Sequence, residues 1–274
     1  MQAIAVEVRR GNVVEAVHRV HAATTDGESW GDPELAFYFR SSSKPIQAIP
    51  FVEGYDDLDD DEIAIACASH RAEPAQLAAV WKVLARAGAT ADDLENGLQE
   101  GRPEGKVGHN CSGKHAGMLA ACRAHDWPLH PYRDRAHPLQ QQIAELLGGD
   151  HVAVDGCGVP TFSTNLAGAA ALLTRTPQRI RDAMRARPEL VGAEPDAVDT
   201  DLMRLRDGWI AKGGAEGLFC AAHADGRGVA LKAEDGAYRA IGPALALVLG
   251  IDELAEKSVK NSLGEIVGAI TLAQ

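Results

Sequence analysis

The first third of the pattern is alternating and the middle is helical. "AIAVEVRRGNVVEAVHRV" at 3–20 places apolar side chains at every second position on either side of Arg10-Gly11-Asn12, which predicts two strands joined as a hairpin. "ELAFYF" at 34–39 reads as a third strand. From about 61 to 210 the apolar spacing changes to i, i+3, i+4. Stretches such as "PAQLAAVWKVLARAG", "KHAGMLAACRAH" and "HPLQQQIAELLGG" predict a run of helices with Pro or Ser/Thr near several starts and Gly at several ends. Alternation then returns in "GLFCAAHADGRGVALKAED", a second hairpin, followed by a helix near 237–249 and a last apolar run, "EIVGAITL".

Isolated hairpins cannot bury a face, so the economical arrangement is one antiparallel sheet assembled from both ends of the chain. The terminal helix and the helical middle would cover it. The expected class is therefore α+β, with 1–274 forming a single domain whose helical middle covers about 61–210. The length of 274 residues is enough for a substantial core. No apolar run approaches a membrane span, and the opening residues enter a strand pattern without a leader, so the expectation is a cytoplasmic protein. A formal charge of −12 argues against a nucleic-acid partner and fits a small polar substrate better. Five cysteines, an odd number, argue against a disulfide framework and leave thiol, metal or core roles.

Lysine is scarce, eight against nineteen arginines, and Lys44, Lys114, Lys212 and Lys232 sit among Ser, Gly, Cys or apolar neighbours. Only lysine can lose its proton usefully, so these four are candidates for chemistry. In "RSSSKP" at 40–45, Ser41 and Lys44 are three residues apart, which on a helical turn puts amine and hydroxyl on one face. The plainer reading is a serine-rich helix cap. "CASHRAEP" at 67–74 ends an apolar run on Ser69-His70, where an ordinary helix end is the plainer reading. "HNCSGKHAGM" at 109–118 gathers His, Asn, Cys, Lys and His before a helix, and "VDGCGVPTF" at 154–162 carries Cys157 in a second glycine loop. The two cysteines could meet as metal ligands or remain unliganded thiols. Cys67, Cys122 and Cys220 fall on apolar faces and read as core.

Taken together and in order, "RSSSKP", "ACASH..EP", "HNCSGKHAGML", "VDGCGVPTF", "AKGGAEG" and "VKNSLGEIVG" resemble the rhizobial-type, or class 3, L-asparaginases from about Val6 to Ile270. The resemblance implies a fold similar to serine β-lactamases and glutaminases, a homodimer, and hydrolysis of L-asparagine to L-aspartate and ammonia. It implies two serine-lysine pairs, Ser41 with Lys44 and Ser69 with Lys232. It also implies a zinc site of Cys111, Lys114 and Cys157, and substrate contacts from Arg40, His70, Asn110, His115 and Asp155. Arg71 stands where the family usually has a small residue and is expected to crowd or recharge the mouth of the site.

The expected chemistry is acyl transfer, with Ser41 as nucleophile and neutral Lys44 as its base. Three alternatives remain: a zinc-hydroxide amidohydrolase, a penicillin-binding or β-lactamase-like enzyme, and a non-catalytic zinc or thiol sensor.

Overall fold

The computed structural model describes residues 1–149, 151–192 and 197–273. Eleven strands are β1 (Ile4–Arg10), β2 (Val13–Thr24), β3 (Ser29–Trp30), β4 (Phe37–Tyr38), β5 (Val152–Val154), β6 (Pro160–Thr164), β7 (Trp209–Gly214), β8 (Leu218–His223), β9 (Gly228–Ala233), β10 (Lys257–Lys260) and β11 (Ile266–Leu272). The main sheet runs β10-β11-β1-β2-β9-β8-β7, with β3 against β2, and every pairing in it is antiparallel. The first and last long strands are neighbours, Val6 opposite Leu272 and Val8 opposite Ile270. The α+β sheet built from both ends is thus what forms.

Its inner face follows the alternation. Ile4, Val6 and Val8 of β1 and Val20 and Ala22 of β2 are buried, while Glu7 and Arg9 point the other way and pair with each other. The Ile241–Leu249 helix packs across β1, β2, β9 and β11, and Leu166–Leu172 packs on β2, β8 and β9. In the helical middle, Ser112–Ala124 is the central element. Everything from Ser112 to Cys122 is buried, walled by Ile49–Glu53, Asp60–Ala66 and Pro74–Ala87. A helix enclosed on all sides has no polar stripe to spare, so its Lys114 and His115 must find partners indoors.

Local chemistry sets several boundaries. Asp59 caps the Asp60–Ala66 helix with Glu62 in a reciprocal capping box, and Gly88 ends Pro74–Ala87 in a left-handed conformation. Two expectations need correction. "ELAFYF" yields only the two-residue β4, which joins β6 and β5 in a separate small sheet. "AKGGAEG" belongs to a full edge strand, β7, that begins at Trp209 inside the stretch expected to be helical. Among the described residues, no helix is long and apolar enough to cross a membrane.

Candidate active site

A cleft of about 830 Å³ collects the chemistry. Ser41, Ser69 and Asn110 lie on its wall with Lys212 and Gly213 of β7, Asp199, and Tyr238. Farther out the wall includes Lys257, Ser258 and Lys260. These come from β10, so the cleft touches both edge strands of the sheet, which therefore curls.

Arg40 delivers Ser41. Its φ of 48° is in the left-handed region that non-glycine residues avoid, and the turn it starts, Arg40–Ser43, runs straight into the helix Lys44–Gln47. Pro45 stands in the first turn of that helix, where a missing N–H is tolerated. Two outside contacts hold Arg40: its Nε donates to Asp155 Oδ1 at 2.6 Å, and its N–H donates to Thr161 Oγ1 at 3.2 Å. Ser42 and Ser43 make no capping bond to the helix. Ser42 Oγ donates to the Lys212 carbonyl at 3.1 Å, stapling the turn to the end of β7, and Ser43 Oγ donates to the Arg40 carbonyl.

Lys44 is fully enclosed, and its Nζ donates to Ser69 Oγ at 3.1 Å and to the Ala68 carbonyl. Burial pushes this amine below its ordinary value, and the charges of Lys114 and Lys212 act in the same direction against the opposing pull of Cys111 and Cys157. The amine reaches Ser69 rather than Ser41, which lies on the turn before it.

The second expected pair needs correction. Lys232 Nζ donates to the Ala233 carbonyl and has Glu216 and Asp235 as its charged neighbours; it is not on the cleft wall. The buried lysine that shares the cleft with the serines is Lys212, 1 % exposed, from the phrase "AKGGAEG". It forms an ion pair with Asp199, Nζ to Oδ2 at 3.4 Å, and donates to the Gly213 carbonyl. Asp199 was not singled out from sequence, because a lone aspartate at a helix start carries no chemical signature until β7 is placed beside it.

The remaining expected contacts divide. Asn110 lines the cleft, with its N–H donating to Gln99 Oε1 at 2.7 Å. His70 does not line it. Ser112 Oγ donates to the Val107 carbonyl and so accepts from His70 Nε2, while His70 Nδ1 accepts from Ala72 N–H. Burial, helped by Lys44 and Arg102, holds the His70 ring down to about 3, so it is a neutral brace with both nitrogens occupied. Arg71 pairs with Glu73 and is likewise off the cleft wall, so it does not crowd the mouth. Asp155 is bound by Arg40 and by Gly156 N–H at 2.8 Å.

Cys111, Lys114 and Cys157 do come together, behind Lys44 rather than in the cleft. The Cys111 thiol donates a hydrogen bond to the Cys157 sulfur, both cysteines being free, and Lys114 Nζ lies 3.0 Å from Cys157 Sγ. The Cys111 contact, with Lys114 and His115, holds the Cys157 thiol far below its ordinary value despite burial. Burial pulls the Lys114 amine down, but Cys157, Cys111 and Asp155 outweigh it and leave the amine above its ordinary value, a paired ammonium rather than a free base. His115 Nδ1 is hydrogen-bonded to Tyr132 Oη at 2.7 Å, and the ring also bonds to the Cys157 sulfur. Among the described residues no three His, Cys, Asp or Glu side chains gather as a metal site, so a lysine would have to complete any set here. Two cysteine sulfurs with a lysine nitrogen beside them fit a thiophilic cation such as zinc. Cys67, Cys122 and Cys220 are core thiols, each pushed up to about 12 by burial.

The sequence matches the family model described as L-asparaginase II over residues 6–272. No curated protein matches it. Solved structures that align with it include a β-lactamase from Bacteroides dorei (13 % identity, 84 % of each chain covered, TM-score 0.40). A β-lactamase from Mycobacterium bovis aligns at 12 % identity over 84 % of this chain and 86 % of that one, TM-score 0.29. An octameric penicillin-binding protein homologue from Pyrococcus abyssi aligns at 12 % identity over 90 % and 73 %, TM-score 0.35. Likenesses this loose say nothing about chemistry, whereas the family match spans almost every strand and helix described above. The chain belongs to the L-asparaginase II family and is an amidohydrolase of that kind.

Proposed function

We propose that the protein hydrolyses the side-chain amide of L-asparagine, giving L-aspartate and ammonia, through an acyl-enzyme on Ser41. One observation carries this reading: the enclosed Lys44 amine, depressed by burial, sits 3.1 Å from Ser69 Oγ and one turn from Ser41, and both serines face a single cleft. Neutral Lys44 takes the Ser41 proton, directly or through Ser69. Ser41 Oγ then bonds to the amide carbon, and the collapsing intermediate expels the nitrogen, which leaves as ammonia once the same relay has protonated it. Water repeats the sequence on the ester and frees the carboxylate. Lys212, paired with Asp199, supplies positive charge beside the oxygen that becomes anionic. Asn110 is the side chain on the cleft wall suited to orient the substrate's polar end, and Arg40 with Asp155 braces the turn that holds Ser41.

Cys111, Cys157 and Lys114 would hold zinc, and binding would displace the Lys114 proton. A bound cation there supplies positive charge behind Lys44, which favours the amine's neutral form. The reading includes a homodimer working in the cytoplasm, with the dimer open to test by light scattering.

The test is ammonia release from a panel of amides. Ser41→Ala should lower kcat by about 10³-fold or more, since it removes the proposed attacking oxygen. Full activity in both Ser41→Ala and Ser69→Ala would overturn the serine mechanism. Loss of turnover on chelation with Ser41→Ala still active would favour a metal-bound hydroxide instead. That alternative has to explain why Cys111, Lys114 and Cys157 are not on the cleft wall.

A further inference from the structure

Asp199 is one of the few carboxylates this protein encloses, 2 % exposed, in the first turn of the helix Val198–Leu205. Its two oxygens have separate tasks. Oδ1 accepts from Thr200 N–H at 2.9 Å, anchoring the carboxylate to its own helix. Oδ2 accepts from Gly213 N–H at 3.0 Å and faces Lys212 Nζ at 3.4 Å, so one oxygen holds both the backbone and the side chain of consecutive β7 residues.

The same peptide is held from the other side. Ser42 Oγ, next to Ser41, donates to the Lys212 carbonyl at 3.1 Å. The Lys212-Gly213 unit is therefore clamped between Asp199 and the turn that carries the proposed nucleophile. The fit allows no side chain at Gly213, because a Cβ there would collide with Tyr238 Oη. Tyr238 in turn stays a neutral hydroxyl, since burial and the nearby Asp199 push it well above its ordinary value.

A lysine this enclosed is stable as a cation only with a counter-charge; its amine already donates to the Gly213 carbonyl at 2.9 Å, and Asp199 at 3.4 Å supplies the opposite charge. We propose that Asp199 is a positioning residue for the reaction, fixing the Lys212 ammonium against the cleft at the height of Ser41 without itself touching substrate. This rests on the reading of Lys212 as a charge that faces the reacting amide.

The test is a double-mutant cycle on ammonia release. Asp199→Asn removes the charge and keeps one of the two oxygen acceptors. It should lower kcat by about ten- to a hundredfold with KM within about twofold, and Lys212→Met should lower kcat by at least as much. The double variant Asp199→Asn/Lys212→Met, uncharged on both sides, should be no slower than Lys212→Met alone, since a positioning residue has nothing left to position. Losses that multiply in the double variant, or a wild-type kcat for Asp199→Asn beside a slow Lys212→Met, would overturn the inference. A wild-type kcat for Lys212→Met would instead overturn the role given to Lys212 itself. Should Asp199→Asn fail to fold, Asp199→Glu takes its place: the charge is kept but displaced by one methylene, so kcat should fall with Lys212 present and be unaffected in the Lys212→Met background.

Discussion

Lys44 is the residue on which the proposed chemistry turns, and its environment gives a signed prediction. The folded amine sits below the ordinary lysine value of 10.5, chiefly because burial penalises the ammonium. Between that lowered value and 10.5 the unfolded chain binds more protons than the folded one, so Lys44's contribution to stability grows as pH rises through this window. Activity has the same sign on its acid side, because only the neutral amine can accept the serine proton. The kcat/KM profile should therefore fall tenfold per pH unit on its acid limb as Lys44 is protonated. Lys44→Arg, whose guanidinium keeps its proton, should lose about 10³-fold or more across the accessible range. An unshifted acid limb in a partly active Lys44→Arg would assign that limb to another group.

The Ser41–Lys44 spacing was legible because i, i+3 on a turn is a local relation. The amine's attachment to Ser69 was not, since it depends on how the end of Asp60–Ala66 meets the Ser41 turn. Lys212 and Lys232 show the same limit more sharply. Each lies on a strand in the second half of the main sheet, and nearly every position of both strands is buried, so alternation gives no clue to which face a side chain takes. The usable signal was the pair of glycines after Lys212: Gly213 and Gly214 leave no room for a Cβ beside Tyr238 and Ser42, a sign that other groups press close there.

At the scale of elements, the central helix Ser112–Ala124 does most of the positioning. It brings Lys114 to Cys157, His115 to Tyr132, and Ser112 to His70. Its approach to the neighbouring helix is fixed at Gly113, where a Cβ would run into the Ile65 carbonyl, a backbone atom that cannot step aside. Gly113→Ala should destabilise the protein by about 1–3 kcal/mol despite alanine's better helix propensity, and weaken the proposed zinc site with it. Thermal unfolding and metal stoichiometry measured on the same variant check both, and an unchanged melting temperature would show that the two helices separate freely. The meeting of Cys111 with Cys157 could be anticipated from two glycine loops. The ionisation of the cluster could not, because it arises from contacts among Cys111, Lys114, His115 and Cys157 that come from distant parts of the chain.

For the whole molecule, hairpins and helices were readable from periodicity, and so was their combination into one sheet. The small β4-β6-β5 sheet was not, since strands of two to five residues leave too short a pattern. The sheet's order also constrains how the protein comes into being. In the finished fold β1 lies between β2 and β11, and β11 ends at Leu272. On a ribosome the Ile4–Thr24 hairpin emerges before β11, so one edge of β1 has no partner until everything between them has been made. Closing that contact spans nearly the full sequence, the kind of pairing that slows folding most. In refolding followed by pulsed hydrogen exchange, the β1 amides that face β11 should gain protection no earlier than the slowest phase. A newborn chain thus carries an open strand edge until β11 arrives, and the cell has to keep it from other chains for that time.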